Sequence, residues 1–111
     1  MNPGAVILSN VQQADGQLKP RPMIVLQIMP PFSDLLVVAL SSQLRHEVEN
    51  FDEVIDEDSD DYTSSGLKVP SLIRLGLLST IPRSDYIGRL GNISENRLSR
   101  LRNRLAGHIE S

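Results

Sequence analysis

Four prolines bracket one of the most apolar stretches of the chain. Pro20 and Pro22 precede Met23-Ile24-Val25-Leu26-Gln27-Ile28-Met29, and Pro30-Pro31 follow it. A proline inside a helix removes a hydrogen bond and clashes with the preceding turn, so this segment cannot belong to a longer helix. It reads as a short strand closed at both ends. Leu35 to Leu40 is a second, unbroken aliphatic run, ending at Ser41-Ser42-Gln43. Val6-Ile7-Leu8 reads as an opening strand, and Asp15-Gly16 marks a turn before Pro20. A weaker strand is expected around Glu49 to Ile55, another from Leu67 to Leu75, and one more within Leu77 to Pro82.

After Asn92 the period changes. Ser94 has the character of an N-cap, with Glu95 in the first turn where the helix dipole favours a negative charge. Leu98, Leu101, Leu105 and Ile109 recur at three- and four-residue spacing, which predicts an amphipathic helix. Arg97, Arg100, Arg102 and Arg104 are distributed around the rest of it, and Gly107 is expected to fray or stop it. The chain is therefore expected to be β-rich α+β, a single domain over 1–111. About five short strands and a closing helix suit a partly open β-barrel or strongly curved sheet. A two-layer α+β sandwich is the alternative, and pattern alone leaves both open.

Several classes of function are excluded by composition. There is no cysteine, which removes disulfides, thiolate metal sites and thiol catalysis. His46 and His108 are 62 positions apart, neither in a ligand-spaced pair, and both read as surface residues without a metal role. No phosphate-binding glycine loop, dinucleotide fingerprint or nucleophile elbow occurs. The longest aliphatic run is six residues, far short of the roughly 20 that span a bilayer. No secretory signal is evident, so a cytoplasmic protein with no membrane association and no cofactor is the expectation. With two Phe, two Tyr and no Trp, an aromatic surface for stacking bases is nearly excluded.

Charge is segregated. Nine of the 14 acidic residues lie between Glu47 and Asp61, a stretch without Lys or Arg, and the remainder carries 11 basic residues against five acidic. The stretch reads as a solvated loop. A second reading has it starting near a basic anion site and repelling nucleic acid over a Debye length, about 8–10 Å. The basic remainder admits a nucleic-acid partner.

One small constellation could carry chemistry. Arg21 is fixed between two prolines at the start of a strand, and its planar guanidinium suits bidentate contact with phosphate. Ser41 and Ser42 close the next strand with hydroxyl donors, and Arg74 adds a further cation on a later one. None of these residue types titrates near neutral pH when unperturbed, so no general base is assigned.

The same residues carry a resemblance. Gly4-Ala5-Val6-Ile7-Leu8, Leu18-Lys19-Pro20-Arg21-Pro22, Val37-Val38-Ala39-Leu40-Ser41-Ser42-Gln43, and Gly66-Leu67-Lys68-Val69-Pro70-Ser71-Leu72-Ile73-Arg74 resemble, in order, motifs of the PemK/MazF family of toxins from toxin–antitoxin systems. Gly88-Arg89-Leu90-Gly91-Asn92 before the last helix completes the likeness. The resemblance implies an SH3-like barrel, a homodimer, metal-independent endoribonuclease cleavage of single-stranded RNA, and neutralisation by an antitoxin protein. It implies catalytic roles for Arg21 and Ser41, and RNA contacts for Lys19, Ser42, Gln43 and Arg74. The chain departs from the pattern at Ala5, where Asp is usual, and at Asp15, where some members have His. A third departure is Arg74-Leu75-Gly76, where some members read R-x-D. A catalytically inactive barrel acting as a protein- or RNA-binding module is the alternative function.

Overall fold

The computed structural model describes residues 2–111. Six strands form one antiparallel sheet: β1 (Ala5–Gln12), β2 (Leu18–Met29), β3 (Asp34–Ser41), β4 (Glu53–Ile55), β5 (Ser71–Ile81) and β6 (Tyr86–Asn92). The spatial order is β4-β5-β3-β2-β1-β6. A four-residue helix, α1 (Tyr62–Ser65), follows β4, and α2 (Glu95–Glu110) closes the chain.

The sheet must curl. Strands β5 and β6 stand four steps apart in that order, about 19 Å if the sheet were flat. Only residues 82–85 join them, and they fold into a turn in which the Asp85 N–H donates to the Pro82 carbonyl at 2.9 Å. Even fully extended, the link from Ile81 to Tyr86 would span only about 18 Å. A half-barrel, not a flat two-layer sandwich, satisfies the connection. Bulges supply the bend. One lies in β2 between Val25 and Gln27, and a larger one in β5 leaves Leu75, Gly76 and Leu77 without β3 partners.

Curling buries both faces. Val6, Ile24, Leu26, Val38, Leu40 and Ile73 pack with Leu101 and Leu105 of α2. On the opposite face Ala5, Ile7, Met23, Val25, Leu35 and Val37 form a second cluster, with half-buried Ile81 and Tyr86 packed against it. The core is aliphatic, as the scarcity of aromatics demands.

Several element boundaries differ from the sequence reading. The prolines do not confine β2, which begins at Leu18. Its outer half, Leu18 to Pro22, pairs only with β1, because β3 joins it first at Met23. A strand with one open side tolerates proline. The expected strands at Leu67–Leu75 and Leu77–Pro82 are one bulged strand. Strand β6 escaped notice because Gly88 and Gly91 interrupt its alternation, yet Gly91 is where α1 rests. A Cβ there would lie 2.0 Å from the Ser64 carbonyl oxygen, so no side chain fits. Helix α2 passes through Gly107 and leaves Ile109 exposed rather than buried.

The acidic stretch is not simply a solvated loop. Asp52, Glu53 and Asp61 are buried. Arg97 of α2, also buried, donates from Nη1 to Glu53 Oε1 at 2.8 Å and from Nε to Asp61 Oδ2 at 2.8 Å. Arg100 donates from Nε to Glu53 Oε2 at 2.9 Å, and Arg104 Nη1 lies 3.0 Å from the same oxygen. The Ser94 N-cap accepts from the Arg97 N–H at 3.1 Å, and its own N–H donates to Asp61 Oδ2 at 2.9 Å. The helix arginines are thus docking groups, a role the sequence reading left unassigned. Asp56 is half-buried, and the exposed acids are Glu47, Glu49, Glu57, Asp58 and Asp60.

Burial alone would raise the Glu53 carboxyl. The hydrogen bond from Arg100 and the charges of Arg100, Arg97 and Arg104 outweigh it and hold Glu53 below the ordinary glutamate range. Burial likewise opposes ionisation of Asp61, and the hydrogen bonds from Arg97 and the Ser94 N–H override it. Both groups bind protons less readily folded than unfolded. Their contribution is therefore complete above about pH 4.5 and lost as pH falls through the lowered values. Removing Arg97 leaves the buried Asp61 without its cation, and Glu53 with only Arg100 and Arg104, a cost of about 3–5 kcal/mol. We predict that Arg97→Ala lowers the urea midpoint accordingly at pH 7. Glu53→Gln should flatten the fall in stability between pH 5 and pH 3, about the range in which carboxylates titrate. An unchanged midpoint for Arg97→Ala would contradict the network's role.

Candidate functional site

At one end of the sheet β2 and β3 part. Their pairing stops at Met23 and Ala39, and two residues further along the same register would set Arg21 opposite Ser41. The side chains of alternate residues share a face, so Arg21, Ala39 and Ser41 stand on the face of Met23. Arg74 joins them because it pairs with Ala39 from β5. A cleft of about 310 Å³ opens there, lined by Arg21, Ser41, Ser42, Gln43 and Arg74, with Val11 and Leu77 as its apolar walls. Five of the six candidate residues thus come together from three strands and the turn after β3. Lys19 does not line it. It is exposed, two residues farther along β2, and paired with Val11.

Local bonding prepares the donors. The Gln43 N–H donates to Ser41 Oγ at 3.0 Å, closing a hydroxyl turn that ends β3. One lone pair of Oγ is thereby occupied, and its proton is free to be donated to an anion. Arg21 donates from Nη2 to Gln13 Oε1 at 3.4 Å, a long contact at an exposed site. Arg45 Nη1 donates to Gln43 Oε1. This leaves the Gln43 amide group to face a ligand through its NH₂.

The bulge in β5 sets Arg74. The Leu75 N–H, having no β3 partner, donates to the buried Asp52 Oδ1 at 3.1 Å. Asp52 Oδ2 accepts from the Val48 N–H at 2.9 Å. One carboxylate therefore ties the segment after Ser41-Ser42-Gln43 to the residue after Arg74. Sequence reasoning missed Asp52, whose neighbours in a run of acids gave no cue. It also missed Leu77, which read as an ordinary strand residue, and Val11, which lies beyond the expected opening strand but within β1.

Chemically the cleft is suited to an anion. It offers two guanidinium groups, two hydroxyls and an amide, and neither a carboxylate nor an imidazole lines it. His46 and His108 are both exposed, the latter with its ring 4.9 Å from that of Phe51. Among the described residues no group of three or more potential ligands could hold a metal ion, and no helix is long and apolar enough to cross a membrane.

Comparison with known proteins agrees with this architecture. The structure is similar to Mycobacterium tuberculosis toxin MazF-mt6, with a TM-score of 0.67 over 98% of this chain and 97% of that one, at 19% sequence identity. At that identity the likeness shows the fold, the MazF toxin half-barrel with its C-terminal helix. No curated protein matches the sequence significantly. The sequence model of PemK-like, MazF-like toxins of type II toxin–antitoxin systems matches residues 2–109, nearly the whole chain. On that match the chain belongs to the PemK-like, MazF-like family of toxins of type II toxin–antitoxin systems.

Proposed function

We propose that this chain is an endoribonuclease toxin that cleaves single-stranded RNA without a metal ion. The observation that carries the reading is the convergence of Arg21, Ser41, Ser42 and Arg74 in one cleft of a toxin-family barrel. Cleavage proceeds by in-line attack of the ribose 2′-hydroxyl on its own phosphate, and the P–O2′ bond forms as the P–O5′ bond breaks. The 2′-hydroxyl gives its proton to solvent water and the departing 5′-oxygen takes one from it, leaving a cyclic phosphate and a free 5′-hydroxyl. Charge grows on the phosphorane oxygens, and the Arg21 fork is the group suited to meet it bidentately. Ser41 donates its free hydroxyl proton to a phosphate oxygen. Arg74, Ser42 and Gln43 hold the strand, with Lys19 as an outer phosphate contact. The partners are the RNA and a cognate antitoxin, and the site of action is the cytoplasm.

One observation favours a second reading. With neither carboxylate nor imidazole in the cleft, the same surface could bind RNA without cleaving it. Incubating the purified chain with RNA in the presence of EDTA decides between them: cleavage supports the toxin nuclease, and retention of intact RNA supports the binding module.

Arg21→Ala should lower the cleavage rate on the order of 10²–10³-fold. The fold should persist, because Arg21 is exposed and bonded only through one long contact. Arg21→Lys should not rescue it, since a point charge cannot reproduce the fork. Growth arrest by Arg21→Ala, expressed at a level matching the unmutated chain, contradicts the assignment.

The family likeness and the exposed apolar residues support a homodimer as the working unit. Leu18, Phe32, Ile87 and Ile109 are each more than half exposed, and β4 and β6 end the sheet as edges that invite cover. Light scattering at micromolar concentration should report twice the chain mass of 12.3 kDa. A species of that single mass alone would count against the dimer.

A further inference from the structure

The cleft continues into a second hollow. Arg21, Leu40, Ser41 and Ser42 line both. Beyond them the first, about 310 Å³, extends over Gln43, Arg74 and Leu77. The second, about 250 Å³, runs over Pro22, Val69 and Ser71. Each is at or below the smallest cavities that hold a drug-sized ligand, so each takes a single ring system. The charged and hydroxyl donors they share form a saddle between them. An anion held on that saddle has one hollow on either side, which is the arrangement a phosphodiester requires, since every internal phosphate of an RNA strand joins two nucleosides.

We propose that the two hollows are subsites for the two bases flanking the phosphate held by Arg21, Ser41 and Ser42, and that Leu77 and Val69 determine which bases they admit. This rests on the RNA reading above and adds the substrate's register on the surface. The subsites differ in chemistry. The first presents the Arg74 guanidinium and the Gln43 NH₂, both donors, and suits a base edge with adjacent acceptors, such as O6 and N7 of guanine. The second has no charged group apart from the shared Arg21. Its Ser71 hydroxyl already donates to the Val69 carbonyl at 3.0 Å, and Pro22 and Val69 give it apolar walls. It selects by size. No aromatic ring lines either hollow, so stacking on protein cannot blur the selection.

Val69 and Leu77 are 55% and 43% exposed, so enlarging either leaves the core intact. Val69→Phe and Leu77→Phe are compared with the unmutated chain in two assays. A randomised pool of short single-stranded RNAs, made uncleavable by 2′-O-methylation, is selected for binding, and cut sites are mapped on unmodified RNA. Val69→Phe should change base preference at one of two adjacent positions and Leu77→Phe at the other, each by about tenfold, the scale on which a pocket wall discriminates. Shifts at the same position, no shift, or a pool without base preference would overturn the subsites even if cleavage is intact. Separate shifts in the pool, with no cutting by the unmutated chain, would uphold the subsites while the nuclease reading fell.

Discussion

Everything in this half-barrel depends on how Arg97 is buried. A guanidinium with so little exposure must be matched by charge and hydrogen bonds, or the fold could not hold it. Glu53 from β4 and Asp61 from the start of α1 match it. Two neighbouring segments and a distant one are thereby committed to one place: the short edge strand, the turn that supports β6, and the first turn of α2. Asp61 also accepts from the N–H of the helix N-cap, so the same carboxylate fixes where the helix begins and what it docks against. Such a network is a modest source of net stability, because a well-packed apolar replacement often matches it. Its effect is on geometry. An aliphatic helix stripe can slide on an aliphatic sheet, and a bidentate ion pair cannot.

A second carboxylate does the corresponding work beside the cleft. The bulge in β5 frees the Leu75 N–H from the ladder, and a buried donor without a partner is expensive. Asp52 accepts it and holds the Val48 N–H with its other oxygen. The bulge bends the sheet and leaves Arg74 paired with Ala39, two residues from Ser41 and on its face. The acidic stretch thus has two populations: buried acids that shape the barrel, and exposed ones around Asp58 and Asp60 that face water.

The sequence made the strands and the site residues legible through different signals. Apolar runs at Met23–Met29 and Leu35–Leu40 and the heptad-like leucines of α2 mark their elements because burial imposes periodicity. The Ser94 cap was readable because its chemistry is local. Glu53, Asp61 and Arg97 were not, since a buried ion pair between residues 36 and 44 positions apart leaves no local trace, and each residue looks like a surface charge. Strand β6 was hidden by two glycines, of which Gly91 is required by the close approach of α1. The candidate site was visible as separate residues, Arg21, Ser41, Ser42, Gln43 and Arg74. That they share one cleft follows from the register of β2, β3 and β5, which no single-strand pattern encodes.

The absent carboxylate bears on how such a cleft can act. Gly76 occupies the place where some family members carry Asp. A Cβ there would meet nothing within 4 Å, so packing does not forbid an acid. What the cleft retains is charge stabilisation: two arginines and a serine hydroxyl whose proton is free because Gln43 occupies a lone pair. For attack by a neighbouring hydroxyl on a phosphodiester, the nucleophile is already tethered, and proximity needs no further residue. Besides the proton that must leave the 2′-oxygen and the one the departing 5′-oxygen must gain, two demands remain: a surface complementary to the trigonal-bipyramidal charge, and a strand held with attacking and leaving oxygens in line. On the proposed reading Arg21 and Ser41 answer the first. The second falls to whatever grips the nucleosides on either side, which is why the shape of the two hollows matters as much to this chemistry as the cations between them.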